Sequence, residues 1–158
     1  MASTANQQTP CPEETPSDAV LRSFLGYMLK RTYLTARPLA LAGMTQFDLR
    51  VPSFSCLSLI VENPGIAPSV LAECLKMERS NIVVVIDELE SRDLIIRQRS
   101  KTDRRRYELT ATVLGRHVHD QSVEEVRRQE ERLFAGMTEE ERAQIFKLLS
   151  KIESSAPD

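Results

Sequence analysis

Between Arg92 and Arg106 the chain carries seven basic residues (Arg92, Arg97, Arg99, Lys101, Arg104, Arg105 and Arg106) against two acidic ones, Asp93 and Asp103. This segment has a net charge of +5 in a protein whose formal charge is −2, so the remainder sums to −7. Guanidinium groups at this density bind phosphate oxygens through charge-assisted hydrogen bonds, and an acidic body with one basic edge docks on a polyanion through that edge. Upstream, Arg79, Ser80 and Asn81 set donors and acceptors side by side, and Val83 and Val84 follow with exposed methyl groups. Hydrogen-bonding groups next to small apolar ones are what base edges and thymine methyls require.

Other chemistries find little support. No paired carboxylates, nucleophile with a base, or metal-ligand spacing appears, and five glycines leave little material for a phosphate cradle. No catalytic residue, metal or cofactor is therefore expected. His117 and His119 are two apart, which on a helix sends them to nearly opposite faces, whereas helical ligands want spacings of three or four. Cys11, Cys56 and Cys74 are an odd, widely spaced set that fits a reducing cytoplasm better than a disulfide framework. Cys56 and Cys74 read as packing on apolar helical faces. No apolar run approaches the ~18 residues of a membrane span. Residues 1–16 are polar and proline-rich and read as a disordered tail rather than a secretory signal.

The elements that must position the candidate residues follow from periodicity. Ser17 or Asp18 caps a first helix in which Val20, Leu21, Phe24, Leu25, Met28 and Leu29 form one apolar face, with Pro38 expected to bend or interrupt it. A second helix begins near Pro52 and ends at Asn63, Pro64 and Gly65. Pro68 starts a short third, with Val70, Leu71, Ala72 and Leu75 inward. After a turn, a fourth runs from Arg79 to Arg92 behind a weak cap at Glu78, burying Ile82, Val85, Ile86 and Leu89 and turning Ser80, Val84, Asp87 and Ser91 the other way. Leu94–Ser100 and Arg105–Ala111 are the strands of a hairpin turning at Lys101–Arg104. Thr112 caps a fifth helix ending near Gly136, and Thr138 with Glu141 makes a capping box for a sixth, striped by Ile145, Leu148, Leu149 and Ile152.

Helix, turn, helix and hairpin in this order make a winged helix-turn-helix within a mainly α fold. Its second helix enters the major groove of duplex DNA, and arginines at the wing tip, Arg104, Arg105 and Arg106, reach the minor groove. Residues 51–112 form this domain, between an N-terminal dimerisation helix and connection, 17–50, and C-terminal dimerisation helices, 113–155.

The segments LGYMLKR, NPGIAPSVLAECLKMERSNIVVVIDELESRDLI and DRRRYELTATVLG resemble the MarR family of transcription factors, over roughly Ala19 to Ser154. The last carries the family's wing signature in Asp103, Arg105, Thr112 and Gly115. The resemblance implies that Arg105 enters the minor groove while Asp103 orients the wing through an ion pair. It also implies that Arg79, Ser80, Asn81 and Val84 face the DNA. The chain departs from the family in having Val84 where relatives often carry a basic residue, and Asp93 where they often carry Glu or Gly.

The outer helices have apolar stripes too narrow for a monomer's core and are expected to pair with a second copy, which agrees with the two-fold dimers of the family. Symmetry then calls for a pseudo-palindromic operator. The resemblance further implies repression relieved by a small, often aromatic, anionic effector, for which Phe24, Tyr27, Met28, Arg31, Phe47, Phe54 and His117 are the candidate contacts. Alternatives are a redox-sensing repressor acting through a cysteine, and a winged-helix module that binds protein.

Overall fold

The structure, a computed structural model, describes residues 17–100 and 106–155. The chain forms two units, one reaching Tyr33 and one beginning at Leu34. In the first, α1 (Ala19–Arg22) is a single turn that stops at Ser23, and α2 (Leu25–Thr45) starts two residues later. At the break, the amides of Ser23 and Phe24 bond three residues back, and the Ser23 hydroxyl donates to Val20 O at 2.6 Å, which tightens the chain out of α geometry. Of the bend or interruption expected at Pro38, the interruption is absent: α2 passes through it. One missing donor in a helix of 21 residues leaves the bonds on either side intact.

Asp18 occupies the N-cap position of α1, but its carboxylate does not cap. It accepts from Arg22 Nε at 2.7 Å and from the Tyr27 hydroxyl at 3.2 Å, with Arg31 Nη1 3.6 Å away. The Arg22 hydrogen bond, followed by that of Tyr27, holds the carboxyl below its ordinary range. Val20, Leu21, Phe24, Leu25, Met28 and Leu29 are all exposed.

The second unit is built on α3 (Val51–Glu62), which follows a turn at Asp48 (φ 52°) and has Pro52 in its first turn. It ends at Asn63, and Gly65 at φ 90° turns the chain toward α4 (Pro68–Cys74). Lys76 (φ 49°) sits in the turn before α5 (Arg79–Ser91), and Asp93 (φ 57°) follows it, a conformation that aspartate tolerates better than most residues. The hairpin pairs β1 (Ile95–Arg99) with β2 (Tyr107–Ala111), Ile95 opposite Ala111 and Arg99 opposite Tyr107. Ile66 adds an isolated bridge to Leu109, so the wing is also fastened to the α3–α4 connection. There Gly65 N donates to Leu109 O at 2.8 Å and Leu109 N to Ile66 O at 3.0 Å.

Side chains from every element of this half meet in one core. Leu57 and Ile60 of α3, Leu71 of α4, Ile82, Ile86 and Leu89 of α5, and Ile95 and Leu109 of the hairpin are all buried. Each such burial contributes about 1.5–3 kcal/mol. The stripe of α5 is the one its spacing predicts. That of α4 is narrower: Leu71 and Ala72 are buried, whereas Val70 and Cys74, placed inward from the sequence, are exposed. Seven residues give fewer than two turns, and the 71–72–75 face is all that reaches the core.

Two long helices complete the unit. The hydroxyl of Thr112 accepts from Gly115 N at 2.9 Å and starts α6 (Val113–Leu133). The helix stops short of Gly136 because Phe134 serves as C-cap and its carbonyl is taken by Arg142 Nη2 at 2.8 Å. About two-thirds of the way along, Gly43 of α2 lies against α6 so closely that a Cβ there would sit 3.0 Å from Val126 N. The capping box of Thr138 and Glu141 opens α7 (Glu139–Ser154) with both reciprocal bonds made. Among the described residues no helix is long and apolar enough to cross a membrane.

Candidate nucleic-acid interface

With Ile82, Val85, Ile86 and Leu89 anchored, α5 turns the side chains of Arg79, Ser80, Asn81, Val83 and Val84 to solvent. Val84 is 62% exposed, far more than an apolar side chain needs for packing. Glu78 makes no side-chain cap, and with Asn81 N bonded to Glu78 O at 3.0 Å the amides of Arg79 and Ser80 are left for an anion. The N-terminal half of this helix thus offers donors, acceptors and methyl groups to solvent.

The hairpin supplies the cationic part. Arg99 and Arg106 are exposed at its outer end, where Ser100 N bonds to Arg106 O at 2.9 Å. Asp103, Arg104 and Arg105, expected at the tip, lie outside the described residues, as do Lys101, Cys11 and the N-terminal tail. Tyr107 is half-exposed, with the guanidinium carbons of Arg97 and Arg99 each 6.0 Å from its ring centre, a cation–π arrangement.

Two residues of the basic segment are turned inward. Arg92, the C-cap of α5, donates to main-chain oxygens at the α2–α3 turn. Arg97, from β1, pairs with Asp87 and, at 3.1 Å, with Glu90 on α5. On a third side, Glu88 of α5 accepts from the Ser53 hydroxyl at 3.1 Å and pairs with Arg50. The C-terminal half of α5 is therefore clamped to the wing and to the start of α3, while its N-terminal half is exposed. Composition places both cations on the basic edge; the end of α5 sets the direction of Arg92, and the strand register that of Arg97.

The wing signature has a structural logic as well. Thr112 Oγ1 donates to Asp93 O at 2.7 Å, so the residue that caps α6 also ties down the left-handed turn after α5. A Cβ on Gly115 would fall 1.9 Å from Leu94 O, so only glycine lets α6 lie against the base of the hairpin.

The effector candidates are distributed between the units. In the first, Phe24 and Met28 are exposed and Tyr27 is half-buried, with Arg31 Nη1 donating to its hydroxyl at 3.5 Å. In the second, Phe47 and Phe54 pack half-buried against the core and His117 is exposed. The histidine that meets Phe54 is His119: its ring stacks at 6.4 Å and Nδ1 lies 3.1 Å from Asp120. The spacing of Gly115, His119 and Ser122 along one buried face of α6 was the signal available for it. Burial pushes the Cys56 thiol up to about 11, which leaves it a poor nucleophile, while Cys74 is exposed. Among the described residues no cluster of three or more His, Cys, Asp or Glu side chains is arranged to hold a metal.

Known proteins carry the same arrangement. Residues 49–107, from the start of α3 to the hairpin, match the MarR family profile. A protein of Thauera aromatica, named for regulation of the hcr operon, is 34% identical over 129 residues, spanning 81% of this chain and 78% of that protein. The transcriptional repressor CouR bound to a 23-mer DNA duplex superposes with a TM-score of 0.84 at 32% identity, covering 89% of this chain and 99% of that one. CouR from Rhodococcus jostii RHA1 bound to p-coumaroyl-CoA gives 0.77 at 28% identity, covering 87% and 97%. Identity at this level, sustained through the flanking helices as well as the winged domain, reflects common descent, and the chain belongs to the MarR family of DNA-binding transcriptional regulators.

Proposed function

We propose that the protein is a homodimeric, cytoplasmic repressor that binds a pseudo-palindromic operator and is released by a small aromatic acid or its thioester. The observation that carries the DNA-binding part is the open N-terminal half of α5 beside the hairpin. In this reading Arg79, Ser80, Asn81, Val83 and Val84 contact the major groove. Arg104, Arg105 and Arg106 serve the minor groove and flanking phosphates, with Asp103 orienting the wing. Association of two copies is supported by apolar surface on each unit: Leu21, Phe24 and Leu25 in the first, Ile145, Phe146, Leu149 and Ile152 in the second. Around the latter, the end of α6 and the start of α7 enclose a largely apolar groove of about 360 Å³.

The ligand class is taken from the relative that binds p-coumaroyl-CoA. Its proposed contacts are those named from the sequence, with His119 added. An inducer acts only by binding the state with low DNA affinity better than the other, so release of DNA, and not binding alone, defines it.

Arg105→Ala tests the DNA-binding reading. The expected result is a large loss of operator affinity with the dimer intact; unchanged affinity would favour a protein-binding winged helix. For the parent, log affinity is expected to fall with log salt with a slope of about −0.9 per phosphate contacted. A thermal-shift screen of aromatic carboxylates, thioesters and phenols, followed by operator release, tests the effector.

A further inference from the structure

Asp87 is a carboxylate in an awkward place for a protein that approaches phosphates. Ser80, Val84, Asp87 and Ser91 recur at intervals of four, three and four, so Asp87 continues the stripe opposite the buried face of α5. Its side chain is 59% exposed. A carboxylate there repels the DNA backbone unless a cation accompanies it.

The cation comes from the wing. Arg97 reaches from β1 so that one nitrogen, Nη2, serves both Asp87 and Glu90, and its guanidinium lies against the Tyr107 ring. Its own side chain is 24% exposed, too enclosed to extend toward a phosphate while it holds these partners. We propose that Arg97 is a positioning residue for DNA binding. It neutralises Asp87 on the groove-facing side of α5, so that this carboxylate does not repel the phosphates the helix approaches. It acts through Asp87 and not by touching DNA. This rests on the placement of α5 in the major groove.

A double-mutant cycle on the full-length protein tests it, using a duplex selected from a randomised pool by the parent protein. Arg97→Ala is expected to weaken binding by about tenfold or more, as an unmasked like charge at an interface does. Asp87→Asn alone should change affinity less than about threefold, and the double variant should return to within about threefold of the parent. The salt slope should be the same in Arg97→Ala and the parent, because no phosphate contact is lost. A double variant as weak as Arg97→Ala would overturn the proposal, and a slope reduced by about one would overturn it in favour of a direct phosphate contact by Arg97. Arg97→Gln, which keeps the length of the stem, carries the same cycle if the alanine variant does not fold. Failure of the parent to select any duplex would instead overturn the placement of α5 on DNA, and this proposal with it.

Discussion

Arg92 and Phe47 are joined by a hydrogen bond of 2.8 Å from guanidinium Nη2 to main-chain oxygen, and the same side chain donates through Nη1 to Asp48 O at 2.7 Å. The end of α5 is thereby fastened to the turn that follows α2, where Asp48 adopts a left-handed conformation. Arg92→Ala removes both donors from carbonyls that have few other partners. The expected cost is about 1–3 kcal/mol in chemical denaturation. Arg92→Lys should recover less than half of it, since a single ammonium does not reproduce the planar fork. Full recovery with lysine would show that charge alone matters there.

Gly115→Ala should be among the most damaging single-methyl additions in the chain, because the new Cβ would meet Leu94 O at 1.9 Å. Moving α6 off the base of the wing strains both; overpacking of this kind costs about 1–3 kcal/mol or more. Thermal unfolding measures it. Gly136→Ala is the control, with no heavy atom within 4 Å of its Cβ position, and a comparable loss in both would refute the steric account.

How much of this was readable beforehand depended on whether a pattern repeats. The stripe of Ile82, Val85, Ile86 and Leu89, the capping box of Thr138 and Glu141, and the cap at Thr112 are local regularities, and all three are found as expected. The bridge between Ile66 and Leu109 is a single pair 43 positions apart, which leaves no periodic trace. The inward turn of Arg97 has the same cause: arginine on a strand reads alike in either direction until the register is known. Cys74 was misplaced because α4 is too short for its flanks to be covered. Pro38 does not end its helix, because the length of α2 on either side absorbs a penalty felt at one position.

Cys56 gives a pH dependence with a definite sign. Its thiol is raised from an ordinary 9.0 to about 11 by burial, so between those values the folded protein keeps a proton that the unfolded chain releases. The contribution is fully present below the unfolded value and is lost as pH rises from about 9 toward 11. Urea titrations across this range should show stability falling with pH, with a shallower fall in Cys56→Ala. Alkylation at neutral pH should modify Cys74 well before Cys56. Equal labelling rates, read by mass spectrometry, would contradict the buried placement.

Leu149 lies on the exposed stripe of α7 and lines the apolar groove beside Phe146. If the proposed dimer pairs through this stripe, Leu149→Glu shifts it to monomer in sedimentation velocity at micromolar concentration, with operator affinity falling at least tenfold through loss of the second half-site. Retention of the dimer would place the interface elsewhere.

The close approach of Gly43 to Val126 gives α6 a fulcrum. The helix has 21 residues, and at 1.5 Å per residue it is a rod of about 30 Å, braced at the wing end by Thr112 and Gly115 and touched about two-thirds of the way along by α2. Pivoting there by about 5° would move the wing end and the far end by roughly 1–2 Å in opposite senses, a displacement comparable to the helix shifts that separate functional states in other proteins. A nudge delivered where α6 gives way to α7 would thus reach the hairpin as a see-saw does, reversed in direction, without any side chain spanning the distance between them.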